Sequence, residues 1–261
     1  MENSKLNNLF CLRNKVAVVI GGGGHLCSSM AEGLAMAGAS IVVLDLRLEK
    51  ASKIAADITT KYQVKTLPLK VDVTCKNSLE VSLDKILNTF EGVDILINGA
   101  GINSPKSFLD ITLDEWNDVM DSQITRTMLG CQTFGPVMIK KKKGVIINIS
   151  SASAGPPLSK AFAYSVAKAG IKNLTMNLAR EWAQYNIRVN AIRPGFFPTE
   201  WNKKNFITKE REEAILNHTP MKRYGESSEL IGASIWLSSE ASSFVTGSEI
   251  KIDGGFSCMT I

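Results

Sequence analysis

Short runs of apolar residues alternate along the chain with longer segments whose apolar positions recur at helical spacing. Continuous apolar runs are typical of strands buried on both faces, and helical segments between such runs are typical of a parallel sheet. We predict seven strands, bounded mostly by Gly, Asn and Asp, at residues 16–20, 40–45, 64–69, 94–98, 144–150, 187–192 and 248–252. The predicted fold class is therefore α/β, a doubly wound seven-stranded parallel sheet flanked by helices.

The helical segments support the same organisation. Residues 28–38 predict a helix that closes on Gly38, and residues 159–185 predict a long helix rich in Ala and Leu. The least regular stretch, residues 194–220, predicts an insertion with a helix of its own, and such insertions often act as substrate lids. No linker or repeat interrupts the 261 residues, so we expect one domain over residues 1–261.

Composition and charge narrow the class of protein. The chain is 44% hydrophobic with a net charge of +5, and its one dense basic run, residues 140–143, falls where a helix should end. Five cysteines without metal-binding spacing predict free thiols in a reducing compartment and no metal. No signal peptide or membrane-length apolar stretch is present, so we expect a soluble cytoplasmic protein that binds neither membrane nor nucleic acid.

The first predicted strand runs into four consecutive glycines, in "VAVVIGGGGHLCSSMAEGLAMAGASIVVLD". Glycines between a strand and a helix allow the backbone to approach a dinucleotide phosphate, which predicts a Rossmann-type nucleotide site. His25 and Cys27 stand where such loops usually carry later glycines, although Cys27 is small enough for close helix packing. Asp45 ends the next strand, where a carboxylate accepts hydrogen bonds from a ribose and repels a 2′-phosphate. We therefore expect NAD rather than NADP, with Arg47 leaving NADP open.

A second motif, "NISSASAGPPLSKAFAYSVAKAG", carries candidate catalytic residues. Tyr164 and Lys168 are four residues apart and share one helix face, while Ser151 follows a strand. A neighbouring ammonium favours the phenolate and brings a tyrosine towards a useful pKa, and a serine hydroxyl can polarise a carbonyl oxygen. Taken singly, each of these residue types is more often structural, so the prediction depends on their combination.

The glycine loop, "NGAG", Ser151, "YSVAK" and "RPGFFPT" follow one another in an order that resembles the short-chain dehydrogenase/reductase family over essentially the whole chain. The resemblance implies that Tyr164 is the general acid/base, that Lys168 lowers its pKa and binds the nicotinamide ribose, and that Ser151 orients the substrate. Gln123 stands where the family has a fourth catalytic residue, an asparagine. Its extra methylene puts the proton-relay water beside Lys168 in question.

The resemblance also implies a cofactor site and an assembly. Asn98 and Gly99 would line the adenosine side, Asp72 would lie near the adenine, and Thr199 near the nicotinamide amide. The expected cofactor-binding residues are Gly21, Gly24, His25, Leu26, Asp45, Asp72, Val73, Asn98, Gly99, Ala100, Tyr164, Lys168, Pro194, Gly195, Phe197 and Thr199. The family further implies a homotetramer, with the long helix of residues 158–184 and the C-terminal strand near the subunit contacts.

The C-terminal half is similar to the branch of D-mannonate oxidoreductases, or fructuronate reductases, whose substrate is a sugar acid. The expected substrate-binding residues are Asn103, Ser151, Trp201, Asn202 and Lys203. Related sugar dehydrogenases share most of these motifs and remain alternatives. A reductase of 3-oxoacyl thioesters is a second alternative. The third is a family member that binds nucleotide without turnover, which the departures at Gln123, His25 and Cys27 motivate.

Overall fold

A seven-stranded, all-parallel sheet forms the centre of the computed structural model, which describes residues 2–99, 101–199, 203 and 207–259. The strands are β1 (Val16–Ile20), β2 (Ser40–Asp45), β3 (Thr66–Lys70), β4 (Ile95–Asn98), β5 (Gly144–Ile149), β6 (Ile187–Pro194) and β7 (Glu249–Ile252). Their order is β3-β2-β1-β4-β5-β6-β7. The predicted fold class is confirmed. The order reverses between β1 and β4, and ligands of such sheets bind at the carboxyl ends of the strands near this reversal.

Helices cover both faces of the sheet. They are α1 (Glu2–Phe10), α2 (His25–Met36), α3 (Leu48–Tyr62), α4 (Lys76–Thr89), α5 (Leu113–Met120), α6 (Arg126–Lys141), α7 (Phe162–Trp182), α8 (Lys209–His218) and α9 (Ile231–Ser238). Helices α2, α3 and α9 share one apolar core with the sheet, and α4, α6 and α7 share the core on the other face. Both faces of the central strands are therefore buried, as their continuous apolar runs predict.

Several boundaries differ from the predicted ones. Helix α7 begins at Phe162 rather than near residue 159, because Lys160 adopts a left-handed backbone with φ of 54°. Helix α2 begins at His25, which makes His25 a helical residue rather than part of the turn. The edge strand β3 is shifted towards the C-terminus, and its Pro68 is tolerated because the edge leaves ladder positions unpaired.

Two further predictions concern helix ends and insertions. Helix α6 ends at Lys141 and is followed by a left-handed Lys142, so the basic run does lie at a helix C-terminus. Helix α8 lies inside the segment of residues 194–220, as predicted, while the role of that segment as a lid stays a prediction. Within the described residues, no helix combines the length and apolarity needed to cross a bilayer, and no three potential metal ligands cluster.

Candidate active site

A cavity of about 770 Å³ opens at the carboxyl edge of the sheet, beside the reversal in strand order. Loops that follow β1 to β6 build its wall. The predicted residues on this wall are Gly21, Gly24, His25, Leu26, Asp45, Asp72, Val73, Gly99, Gln123, Ser151, Tyr164, Lys168, Pro194, Gly195, Phe197 and Thr199. The volume suits a ligand larger than a single sugar, as a dinucleotide with a small substrate would be.

The glycine turn after β1 is held by the end of β2. The amide N–H groups of Gly21 and Gly22 donate to the Leu44 carbonyl at 2.8 and 3.1 Å. Gly21 has φ of 72°, a conformation that favours glycine. The amide of Gly23 donates to Oδ2 of Asp45 at 3.1 Å, and a Cβ on Gly23 would lie 2.8 Å from the same oxygen. The turn and Asp45 therefore form one rigid cradle that a side chain would fill.

Helix α2 begins directly after this turn. Its N-cap, Gly24, provides no side-chain acceptor, so the first-turn amides remain available to an anion. His25 is exposed at the first helical position, on the cavity wall. The cradle, these amides and the absence of acidic residues in the first turn of α2 fit the phosphates of a dinucleotide.

Cys27 packs against the end of β4. Its thiol is buried and donates to the carbonyl oxygen of Gly99 at 2.9 Å, and burial raises the pKa of Cys27 to about 12. A Cβ on Gly99 would collide with the Cys27 Sγ atom. Cys27 is larger than the glycine usual at this helix position, and the absence of a side chain at Gly99 leaves room for it. The close packing predicted from the small size of cysteine is therefore observed.

Carboxylates mark the far end of the cavity. Oδ1 of Asp45 accepts a hydrogen bond from the Arg47 amide at 3.0 Å. Oδ1 of Asp72 accepts from the amide and hydroxyl of Thr74 at 2.9 and 2.6 Å, and these bonds lower the Asp72 pKa. Both carboxylates are therefore fixed in orientation as hydrogen-bond acceptors, which suits hydrogen bonds from ribose hydroxyls or adenine.

The candidate catalytic side chains come together at the other end. The Lys168 ammonium lies 5.5 Å from the centre of the Tyr164 ring and donates to the Ile149 carbonyl at 2.7 Å. Ser151 Oγ accepts from the amide of Ser153 at 3.2 Å, and its hydroxyl also bonds to Tyr164. The predicted trio thus shares one corner of the cavity.

The electrostatics of this corner differ from the prediction. Burial raises the pKa of Tyr164, while the hydrogen bond to Ser151 and the charge of Arg126 act in the opposite direction. Burial, with a further contribution from Arg126, lowers the pKa of Lys168 to about 7. In this arrangement burial outweighs the groups that lower the Tyr164 pKa, because burial penalises the charged forms of both side chains.

Gln123 lies in a π-helical turn, Asp121–Thr125, between α5 and α6. Its side chain is buried on the cavity wall, where Nε2 donates to the Ile102 carbonyl at 2.8 Å and Oε1 has no hydrogen-bond partner within the described part of the chain. The backbone carbonyl of Gln123 accepts from the Thr127 hydroxyl at 2.7 Å. The longer side chain of glutamine, compared with asparagine, thus extends to the loop after β4 and bonds to it.

Asn98 is not on the cavity wall, contrary to the prediction. Its side chain is buried below the cavity, where Nδ2 donates to Asn148 Oδ1 at 2.8 Å, and Asn148 in turn donates to Thr175 at 3.0 Å. The Asn98 side chain therefore joins β4 to β5 and α7.

The predicted substrate residues are only partly brought to the cavity. Asn103 is exposed in the loop after β4 and does not line the cavity. The Lys203 ammonium stacks over the Tyr224 ring at 5.6 Å, and its amide donates to the Thr199 carbonyl at 2.9 Å. Three predicted positions lie outside the described residues, namely Ala100, Trp201 and Asn202.

Two features of the site are missing from the sequence predictions. Arg126 is buried on the cavity wall near Tyr164, and it lies three residues after Gln123, a helical spacing that could have drawn attention to it. A buried ion pair joins Arg193 to Glu249 at 3.1 Å. Arg193 also donates to the Ala152 carbonyl at 3.1 Å, so this pair anchors the loop that carries Ser151.

Similar proteins cover almost the whole chain. A family model described as Enoyl-(Acyl carrier protein) reductase matches residues 26–257. An uncharacterised oxidoreductase of Bacillus subtilis is 39% identical over 94% of this chain and 95% of its own length. A Haemophilus influenzae protein, provisionally assigned as a D-mannonate oxidoreductase and solved with bound NAD, is 36% identical with a TM-score of 0.92, covering 98% of this chain and 99% of that one.

A second solved structure carries the other nicotinamide cofactor. The gluconate 5-dehydrogenase of Burkholderia cenocepacia, in complex with NADP and tartrate, is 29% identical with a TM-score of 0.91 and covers 98% of this chain and 100% of its own. The TM-scores show that the fold of this chain agrees with both of these structures over almost its whole length. The chain is accordingly an oxidoreductase that belongs to the short-chain dehydrogenase/reductase family.

Proposed function

We propose that the protein is an NAD(H)-dependent oxidoreductase that interconverts a secondary alcohol and a ketone on a sugar or sugar acid. The proposed substrate pair resembles D-mannonate, the alcohol, and fructuronate, the ketone. One observation carries this proposal: Ser151, Tyr164 and Lys168 share one corner of a cavity whose other end holds the glycine turn and Asp45. The proposed proton-exchanging group, Tyr164, would thus act in the same cavity that holds the proposed dinucleotide cradle.

Bound nicotinamide would supply the hydride donor or acceptor. The Tyr164 hydroxyl would transfer a proton to or from the substrate oxygen, and the Ser151 hydroxyl would hold that oxygen by a hydrogen bond. Because the pKa of Lys168 is about 7, this side chain can hold or release a proton beside Tyr164 at neutral pH. The orphaned Oε1 of Gln123 is a further acceptor on the same wall.

The preference for NAD is supported by Asp45. Its Oδ2 atom is fixed by the Gly23 amide at the end of β2, where it would repel a 2′-phosphate. The exposed Arg47 is the nearest feature that favours NADP. A comparison of NADH with NADPH therefore tests the role of this carboxylate directly.

The sugar-acid substrate is supported by the names of two related proteins, a D-mannonate oxidoreductase and a gluconate 5-dehydrogenase. Residues 194–220 are proposed to form the lid over the substrate, and Lys203, Trp201 and Asn202 are the proposed substrate-binding residues within it. The Lys203 ammonium packs over the ring of Tyr224, which lies just after this segment. The family model's description favours an acyl thioester as the competing substrate.

The experiment follows NADH at 340 nm with a panel of keto sugar acids and a 3-oxoacyl thioester, and repeats it with NADPH. We expect turnover of a keto sugar acid with NADH and its loss in Tyr164→Phe. Normal activity of Tyr164→Phe would refute the mechanism, and turnover of the thioester alone would refute the substrate class. NADH binding without any turnover would instead identify a non-catalytic member of the family.

Assembly into a homotetramer is also proposed. Helix α7 exposes Phe162, Val166 and Met176 at 43%, 49% and 42% of their surface, which supports contact with another subunit. All five cysteines are free, which supports a reducing compartment such as the cytoplasm. Light scattering coupled to size-exclusion chromatography measures the assembly, and a monomeric mass would refute it.

A further inference from the structure

Arg126 is a buried cation to which the proposed mechanism assigns no role. It is the first residue of α6 and lines the cavity although only 4% of its surface is exposed. Its Nε atom is buried and has no hydrogen-bond partner among the described residues. Among the residues that the structure describes, no carboxylate forms an ion pair with its guanidinium.

The described groups with which Arg126 interacts carry no negative charge near neutral pH. The neighbours with which it interacts electrostatically are the Cys27 thiol, the Tyr164 hydroxyl and Lys168. Burial raises the pKa values of Cys27 and Tyr164, so both are neutral near pH 7, and Lys168 carries charge of the same sign as Arg126. Burial lowers the pKa of Arg126 to about 10, which still leaves the guanidinium charged.

An unpaired buried guanidinium is costly, because it loses hydration without gaining an ion pair. An anionic ligand would offset this cost by forming the missing ion pair with the guanidinium. The wall that holds Arg126 has free space in front of it rather than protein. Residues 21–27, which form the glycine turn and the start of α2, contain no lysine or arginine that could do this work.

We propose that Arg126 binds an anionic oxygen group of a ligand in this cavity, either a phosphate of the nicotinamide nucleotide or the carboxylate of the sugar acid. This inference rests on the proposed function. The pyrophosphate is the favoured source, because Arg126 interacts with Cys27 in the first turn of α2, next to the glycine cradle. Arg126 would then supply the charge that the turn lacks.

The test is direct binding, measured by fluorescence titration of NADH and by calorimetry of ADP-ribose and adenosine. Arg126→Met should weaken NADH and ADP-ribose alike by roughly 10- to 100-fold, the effect of a lost charge-assisted hydrogen bond. Adenosine has no phosphate and should bind the variant as it binds the wild type. Arg126→Lys should restore part of the affinity, and Arg180→Met on the exposed end of α7 is the matched control.

The second arm identifies the source of the anion. If NADH and ADP-ribose keep their affinity while the KM for a keto sugar acid rises about 10-fold or more in Arg126→Met, the partner is the carboxylate. If NADH, ADP-ribose and the keto acid all stay within about twofold of the wild type, the proposal is overturned. Failure of sugar acids as substrates would refute the proposed substrate and leave the NADH arm intact.

Folding of the variant provides a separate readout. Since Arg126 has no partner in the described protein, Arg126→Met without ligand should be at least as stable to urea as the wild type. A structural role for the guanidinium predicts the opposite, and a marked loss of stability in both Arg126→Met and Arg126→Lys would refute ligand binding as its purpose.

Discussion

The buried ion pair between Arg193 and Glu249 links strand β6 to strand β7 beneath the candidate catalytic serine. The side chains are only 5% and 9% exposed, and their N–O distance is 3.1 Å. Glu249 Oε1 also accepts from the Ser150 hydroxyl at 2.7 Å. Glu249→Gln keeps the shape of the side chain but leaves the Arg193 charge buried without a counter-ion. Removing one member of a buried pair costs about 3–5 kcal/mol, so we expect a loss of this size.

Urea unfolding followed by circular dichroism at neutral pH measures this loss. The matched control is Glu240→Gln, which breaks the 3.1 Å pair of Glu240 with Lys143, whose side chains are 61% and 48% exposed. This exposed pair should contribute about 1 kcal/mol or less. Adding Arg193→Met to Glu249→Gln should recover part of the stability, because the unpaired charge is removed.

Activity should change with stability in Glu249→Gln. Ser150 and the Ala152 carbonyl are held by Glu249 and Arg193, so Ser151 between them is displaced when the pair breaks. We expect kcat/KM to fall about 10-fold or more through misplacement of this hydroxyl. Equal stability losses in Glu249→Gln and Glu240→Gln, or a loss below about 1 kcal/mol in the former, would refute the reasoning.

Three other predictions test the cradle, the lysine and the helix start. Gly23→Ala should weaken NADH binding by about 10-fold or more, because the new Cβ would lie 2.8 Å from Asp45 Oδ2; the control, Gly232→Ala, has no atom within 4 Å and should instead stabilise α9 by about 0.5–1 kcal/mol. The free energy of unfolding should rise with pH between about 7 and 10.5, because folding lowers the Lys168 pKa from 10.5 to about 7 and the unfolded chain binds more protons in that window. Lys168→Met should flatten this rise in urea titrations, and an unchanged slope would contradict the assignment. His25→Glu should weaken NADH binding by about fivefold, because it places a carboxylate at the start of α2, whereas equal affinity of His25→Glu and His25→Gln would show that position 25 faces away from the phosphates.

The fold could be predicted because its signal is local and repeated. Continuous apolar runs such as residues 144–149 identify strands buried on both faces, and these predictions hold to within two residues. Boundaries that depend on single backbone conformations could not be predicted. The left-handed Lys160, which delays the start of α7, leaves no periodic signal because it is one residue in an otherwise helix-compatible stretch.

The candidate site could be predicted only where neighbours in space are also neighbours in sequence. Tyr164 and Lys168 are one helical turn apart, so their proximity follows from the sequence. The pKa of Tyr164 depends on burial by loops from elsewhere, which residue spacing does not report. The pairing of Arg193 with Glu249 joins residues 56 positions apart for the same reason.

Asn98 shows a second limit of prediction from sequence. The residue lies at the end of β4 as expected, but its side chain does not line the cavity. It ends β4 directly beneath the cavity, yet its side chain turns into the protein to bond Asn148. Only the direction of a side chain distinguishes these roles. Alternation along a buried strand gives no polar face from which to infer that direction.

The contact between Cys27 and Gly99 has a consequence for the chemical reactivity of the protein. A thiol attacks electrophiles and peroxides as the thiolate, and a pKa of about 12 keeps the Cys27 thiolate negligible near neutral pH. Alkylating reagents should therefore modify the exposed Cys75 and Cys258 while sparing the buried Cys27 in helix α2. Oxidants should likewise react with these exposed thiols before they react with Cys27, so the thiol beside the cavity should stay unmodified.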